Sequence, residues 1–287
     1  MRLTIITINY NSSENTIKLL ESLKNQTDKD FEVIVVDNNS KDVGQLMDYK
    51  TSETNIVFIN KDKNLGYSGG NNVGIRLAIE NGSDWVLLLN NDTWVESLFI
   101  EQLKANLGGR EGIIGLALDE GHRTVLAGLT EWLKPTLKHV IDLQIAMSKT
   151  AYAIGGGITI HKNVFSEIGL LDENYFLYFE DADFCERARR AGIPISFLPG
   201  IKIYHSVSAS TKKLGSPLLL RYHYRNALYF NLKNGPWYIK LLVWPWSWIV
   251  VLKQITKIIF SKNKEQSLAI LKGVGDWYVG RMGKLHD

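Results

Sequence analysis

The chain has 287 residues, 45% of them hydrophobic and 22% charged, which is enough for a large core without staples and excludes a wholly disordered or collagen-like chain. Its formal net charge of +3 excludes a nucleic-acid coat by bulk electrostatics, so no nucleic-acid partner is expected. The single cysteine, Cys185, excludes an internal disulfide; with no basic, apolar and cleavage segments in secretory order, a cytosolic active domain is expected.

Short β-branched runs alternate with polar helical segments through the first half, the pattern of βαβ units around a mostly parallel sheet, so the fold class is α/β. Leu3 to Ile8 reads as a buried first strand. Ser12 or Ser13 then caps a helix carrying Ile17, Leu20 and Leu23 on one face. Phe31 to Val36 and Asn55 to Ile59 are the second and third strands; a glycine- and asparagine-rich loop leads into a helix with Val73, Leu77 and Ala78, and Trp85 to Leu89 is the fourth strand. All but the third end directly in polar residues: Asn9, Tyr10 and Asn11; Asp37, Asn38 and Asn39; Asn90, Asn91 and Asp92. Ligands of open α/β sheets bind outside the carboxyl ends of the strands, which makes that crevice the candidate site.

Residues 108–150 carry no repeat and no decisive motif, and read as one strand followed by a variable connection. From Tyr152 the pattern sharpens. Gly155, Gly156 and Gly157 lead into an apolar stretch, and Phe179-Glu180-Asp181-Ala182-Asp183 opens a helix with Arg187, Arg189 and Arg190 in its last turn and Gly192 as its stop. The aromatic residues Tyr175, Phe176, Tyr178 and Phe179 deliver those acids from an apolar segment, which suits a partly buried carboxylate acting as a general base. Burial and neighbouring acids would raise its pKa, the helix N-terminus would lower it, and the net direction is open at this point. The run Ile201 to Tyr204 ends in His205.

Asp92 closes an apolar strand, where a carboxylate projects into the crevice and a hard cation would bridge it to a diphosphate; the competing reading is a polar turn. Asp37 has the position of a base or ribose acceptor. The segment from Asn64 to Asn72 combines glycines with amide donors before a helix N-terminus, which suits phosphates, against a plain flexible turn. A lone histidine at a strand end is more often structural, but His205 paired with Asp92 completes a metal site.

The ordered set TINYN, IVVDNNS, NLGYSGGNNVGI, LLLNND, GGGITIHKNVFSEIGLLDENYFLYFEDADFCERARRAG and YHSVSAS resembles the rhamnosyltransferase-like branch of family 2 glycosyltransferases over roughly residues 3 to 230. The resemblance implies a GT-A fold, a nucleotide-sugar donor (a UDP-, dTDP- or GDP-sugar), Mg²⁺ or Mn²⁺, and one displacement with inversion at the anomeric carbon. On this resemblance Thr7, Asn9 and Asp37 match nucleoside contacts, and the segment from Asn64 to Asn72, with Gly69, Gly70 and Asn71, lies beside ribose and diphosphate. Asn39 and Asn91, among the polar residues that end the strands, join the donor-binding set. Asp92 matches the last acid of the DXD motif, with Asn90 where an aspartate is often found, and His205 an additional metal ligand. Asp181 matches the catalytic base and Glu180 its acceptor-side neighbour. Arg225, followed by Asn226, matches an Arg-Asn pair in which the arginine contacts phosphate.

The implied substrates are a nucleotide sugar carrying rhamnose or another hexose and a glycan or lipid-linked oligosaccharide acceptor, in cell-surface polysaccharide synthesis. Two other classes compete: a non-catalytic nucleotide- or glycan-binding protein on the same scaffold, and a nucleotidyltransferase, which would need a glycine-rich basic loop that TINYNSS lacks. The expected layout is a catalytic domain over 1–230, its nucleotide-binding half about 1–107 and its acceptor half about 108–230, and a helical tail over 231–287. Trp237 to Leu252 falls short of the roughly 20 uninterrupted apolar residues of a spanning helix. Trp237, Tyr238, Trp244, Trp246 and Trp248, with Lys257, Lys262 and Lys264, instead suit attachment of residues 236–264 to the inner face of the cell membrane, against packing on the domain or on a second copy. Donor sugar, nucleobase, acceptor, linkage and oligomeric state stay open.

Overall fold

In the computed structural model, residues 1–50, 56–148, 150–205, 216–260 and 263–285 are described. Asn55, Lys262 and the part of the last motif from Ser206 to Ser210 lie outside them. The first half follows the expected alternation: β1 (Leu3–Asn9), α1 (Ser13–Lys24), β2 (Glu32–Asp37), α2 (Val43–Lys50), β3 (Ile56–Asn60), α3 (Gly66–Glu80) and β4 (Trp85–Leu89). These four strands pair in parallel in the order β3, β2, β1, β4, which needs right-handed crossovers and places their carboxyl ends along one edge.

Both faces of this sheet are covered, so its strands read as continuous apolar runs rather than as alternating ones. Ile5, Val33, Val35 and Leu87 pack with Leu19, Leu20 and Leu23 of α1. On the other side Ile6, Ile34, Val36 and Val86 pack with Ile75 and Ala78 of α3. Each buried side chain of this size contributes about 1.5–3 kcal/mol through its loss of contact with water.

The second half contains β5 (Thr93–Trp94), α4 (Phe99–Leu107), β6 (Ile113–Asp119), β7 (Thr124–Val125), β8 (Ala127–Leu129), β9 (Lys138–Val140), α5 (Leu143–Ala146), β10 (Ala151–Tyr152), β11 (Gly157–His161), α6 (Lys162–Ile168), α7 (Glu180–Arg190) and β12 (Ile195–His205). β11 inserts antiparallel between β4 and β6, and β12 continues the sheet beside β6. Between Leu198 and Lys202 the register of β12 shifts, where Pro199 has no N–H to give to a ladder; beyond the shift His205 pairs with Thr93. The stretch expected as a variable connection holds β8 and β9, which with β10 just beyond it form a three-stranded sheet, β10-β8-β9, of strands too short to show a period.

Three helices complete the chain: α8 (Pro217–Asn234), α9 (Trp237–Ile259) and α10 (Lys264–Tyr278). They share a core of Leu228, Val243, Val250, Ile270, Val274 and Trp277. Trp237, Leu241, Trp244, Trp248, Leu252, Ile255 and Ile259 recur on α9 at spacings of three and four and are all exposed, forming one apolar stripe. Trp246 departs from the expected set, because it packs into the core instead of joining the stripe. No described helix is long and apolar enough to cross a membrane.

Candidate functional site

Side-chain hydrogen bonds tie the ends of β1, β2 and β4 together. Asn9 Nδ2 donates to Asp37 Oδ1 at 2.8 Å, Thr16 donates to Asn9 Oδ1 at 2.9 Å, and Asn91 Nδ2 donates to the Thr16 hydroxyl at 2.9 Å. The Ser40 amide donates to Asp37 Oδ2 at 2.9 Å. Asn9 and Asp37 are buried and do not themselves line the cleft that opens above them; they brace the strand ends beneath it, with their polar groups paired. The cleft, of about 440 Å³, is walled by Asn64, Asn71, Asn91 and Asp92 among the candidates, and also by Tyr10, Asn38 and Tyr67. Asn38 was legible in the DNNS run, between two residues already counted. Asn39 stands beside it, exposed and left-handed at φ +64°, a conformation asparagine tolerates.

Three parts of the candidate set take other places than expected: Thr7, the Gly69-Gly70 pair and Arg225. Thr7 shares the α1 face of β1 with Leu3 and Ile5; it has no accessible surface and so no contact with the cleft. Gly69 and Gly70 lie inside α3, not in a phosphate loop. A Cβ on Gly70 would stand 2.9 Å from Asn38 Nδ2, and one on Gly74 2.6 Å from Ile6, so this run exists to let helix and sheet approach. The start of α3 is occupied by protein: the Gly66 amide donates to Asn64 Oδ1 at 2.8 Å and the Tyr67 amide to the Phe176 carbonyl at 2.7 Å.

Arg225 is the third. It is fully buried, and its five N–H groups reach Asn226 Oδ1 and the carbonyls of Arg281, Gly283, Asn174 and Tyr175. No donor is left for a phosphate. Asn226 Nδ2 lies within 3.0 Å of the carbonyls of Tyr175, Leu177 and Tyr178. The pair clamps a turn in which Phe176, Tyr178 and Phe179 all have positive φ, at +63°, +71° and +76°. Such conformations cost about 1–3 kcal/mol each for bulky residues and persist only where surroundings impose them.

That turn delivers the acids of α7. Glu180 is buried and its Oε2 has no hydrogen-bond partner; burial first, and then the neighbouring Asp181, push its carboxyl well above the ordinary range. Asp181 is partly exposed. Its Oδ2 accepts from the Gly155 amide at 3.0 Å and its Oδ1 from the Ala182 amide at 2.8 Å, yet burial outweighs these bonds and its pKa is also raised. The direction left open by the helix N-terminus is therefore upward. Tyr67 donates to the Gly155 carbonyl, which places the cleft wall against the loop that holds Asp181.

On the other side of that loop, the Asn90 amide donates to the Gly156 carbonyl at 3.3 Å. Two residues on, Asp92 Oδ1 lies 3.2 Å from His205 Nε2, brought there by the β12–β5 pairing. The hydrogen bond to Asp92 holds the imidazole above its ordinary value, against the pull of burial. Asp92 thus favours the protonated imidazole, and a metal ion at this place would have to displace that proton. The fit to a small divalent cation is geometric: neighbouring ligands of an octahedral site with bonds of about 2.1 Å lie about 3 Å apart. Among the described residues no third His, Cys, Asp or Glu joins them, so remaining ligands would come from water and substrate oxygens.

With this geometry in place, comparisons with known proteins fix the family. The profile of Glycosyl transferase family 2 matches residues 4–169. A dTDP-rhamnosyl transferase, RfbF of Shigella flexneri, is 25% identical over 80% of this chain and 79% of its own. An N-acetylglucosaminyl-diphospho-decaprenol L-rhamnosyltransferase of Mycobacterium tuberculosis is 21% identical over 94% of this chain and 98% of its own. Among solved structures, a mannosyltransferase from Pyrobaculum calidifontis, in complex with GDP-Man and Mn²⁺, superposes with a TM-score of 0.58 at 12% identity over 98% of this chain and 88% of that one. S. aureus TarS gives 0.56 at 19% identity over 82% of this chain, which spans only 40% of that structure. The chain belongs to glycosyl transferase family 2, with the GT-A fold and with rhamnosyltransferases among its relatives.

Proposed function

We propose that the chain transfers rhamnose or another hexose from a UDP-, dTDP- or GDP-sugar to a glycan or lipid-linked acceptor in cell-surface polysaccharide synthesis, inverting the anomeric carbon. The observation that carries this reading is the placement of two unlike acid sites on either side of one loop: the Asp92–His205 pair beside Asn90 and Gly156, and Asp181 on the Gly155 amide. Asp92 and His205 would hold Mg²⁺ or Mn²⁺, which when bound neutralises the departing nucleoside diphosphate. Asp181, with its raised pKa and partial exposure, takes the proton of the acceptor hydroxyl as the acceptor oxygen bonds to the anomeric carbon and the bond to the phosphate oxygen breaks. Attack opposite the leaving group inverts that carbon. Asn64, Asn71 and Asn91 line the donor cleft, and Asn9 and Asp37 brace its floor. Glu180 lies beside the base, on the acceptor side.

The catalytic unit is taken as residues 1–230 and the tail as 231–287. The apolar stripe of α9, with exposed Lys240 and Lys253 and no acidic residue on that helix, and with exposed Lys264 at the start of α10, supports peripheral attachment to the inner face of the cell membrane.

The test is release of nucleoside diphosphate from UDP-, dTDP- and GDP-sugars with a polyprenyl-diphosphate-linked acceptor, in Mn²⁺, in Mg²⁺ and in chelator. Metal-dependent release from one donor class, lost in Asp181→Asn, is expected. Full activity in Asp181→Asn would end the assignment of the base.

A further inference from the structure

Beside the donor cleft, between α8 and α10, lies a second cavity of about 950 Å³ that the proposed reaction leaves unused. Its walls carry Arg221, Lys272, Arg281 and Lys284 against one carboxylate, Asp276, with Val279 at its rim. Asp276 is buried and already committed: Arg221 binds it through two nitrogens, at 2.6 and 3.1 Å, and Arg281 reaches it at 3.2 Å. Four cations against one acid leave a formal excess of three positive charges. Among the described residues neither Lys272 nor Lys284 has an acidic partner, and both are exposed. An excess of this kind selects a compact polyanion.

Two further features say where that polyanion comes from. Lys284 also lines the donor cleft, so the two cavities share a wall. The segment carrying it is fixed: Arg225 holds the carbonyls of Arg281 and Gly283, the Gly283 amide donates to the Asn174 carbonyl, and the Leu285 amide donates to the Tyr222 hydroxyl. On the opposite side the basin runs into the apolar stripe. Tyr278 packs its ring against Trp244 and Trp248 of α9, and Tyr278 and Val279 are themselves exposed. An apolar surface, a basic basin and a sugar-transfer cleft therefore follow one another along the molecule. That is the order of lipid tail, diphosphate and terminal sugar in a lipid-linked glycan.

We infer that this basin binds the diphosphate of a lipid-linked acceptor lying in a membrane, with Lys272 and Lys284 as its free cations and Arg225 as the residue that positions Lys284. The inference rests on the transferase reading above, but its test is separate from it. The 287-residue wild-type chain and the double variant Lys272→Ala, Lys284→Ala, which differs only at two exposed side chains, are bound to three kinds of vesicle. These are plain phosphatidylcholine, phosphatidylcholine doped with polyprenyl diphosphate, and phosphatidylcholine brought to the same surface charge with phosphatidylglycerol. The wild type is expected to prefer the diphosphate vesicles over the charge-matched ones by about tenfold or more, and the double variant to lose that preference, beyond the generic loss of attraction expected per lysine. An equal loss on both charged surfaces would assign the lysines to general membrane attraction and overturn the inference, as would an unchanged preference. Binding of soluble UDP, dTDP and GDP with Mn²⁺ is measured in parallel. If the double variant weakens nucleotide binding while keeping the vesicle preference, Lys284 serves the donor and the inference fails. If the wild type binds no nucleotide, the donor reading fails while the vesicle result still decides the basin.

Discussion

The two acid sites flanking the Gly155–Gly156 loop differ in what stands beside them. Asp92 has an imidazole at 3.2 Å, and that partnership raises the histidine's affinity for a proton. Asp181 and Glu180 have each other, two backbone amides on Asp181 and no cation, and burial raises both. On the proposed reading, the same functional group would be set to two tasks by its surroundings, one holding a positive ion and one exchanging a proton.

If that contrast is right, removing each acid breaks a different measurement. Asp181→Asn should lower kcat by about 10³-fold, within the usual range for loss of a general base, while the Kd for nucleoside diphosphate and Mn²⁺ stays the same. Asp92→Ala should instead weaken metal-dependent nucleotide binding; equal effects of the two variants on binding would erase the distinction. The acid pair also depends on its clamp. Arg225→Met leaves buried carbonyls without donors and the strained turn unheld, and urea denaturation should show a loss of about 3 kcal/mol or more.

A smaller effect tests the packing of α3 on the sheet rather than the acids. Gly74→Ala puts a methyl 2.6 Å from Ile6, and overpacking should cost about 1–3 kcal/mol with little change in kcat for whatever protein remains folded. The smallest is a matter of pH. Glu180 titrates higher in the folded chain than its ordinary value of 4.5, so its contribution favours folding at low pH and is lost as pH rises through the folded value. Glu180→Gln should therefore raise Tm at about pH 7 by roughly 2–4 °C and leave it unchanged near pH 4, where both side chains are neutral. A Tm that falls at neutral pH would mean that the Glu180 carboxylate is paired rather than stranded.

Much of the fold was legible because β1, β2 and β4 announce themselves twice, as β-branched runs and by the polar residues that end them. α7 was equally plain, from acids in its first turn, arginines in its last and Gly192 at φ +77° beyond. What the sequence hid has a common cause. Positive φ at Phe176, Tyr178 and Phe179 contradicts every local preference of those residues and is imposed by Arg225 and Asn226, some fifty positions away. A glycine run reads alike for phosphate binding and for close packing, and only Ile6 and Asn38 opposite it decide which. An arginine declares its donors but not the carbonyls that will take them, so Arg225 was legible as important and not as a brace.

The antiparallel entry of β11 beside β4 has a consequence for how such an enzyme can diversify. The site at the end of β4 and the loop at the start of β11 sit on neighbouring strands, so their backbones are held at one inter-strand spacing, about 4.8 Å, by the main-chain ladder. On the proposed reading, the ladder would work as a ruler between the departing and attacking sides, calibrated by no side chain in particular, so that a change of sugar or acceptor would fall to the loops above it rather than to this spacing.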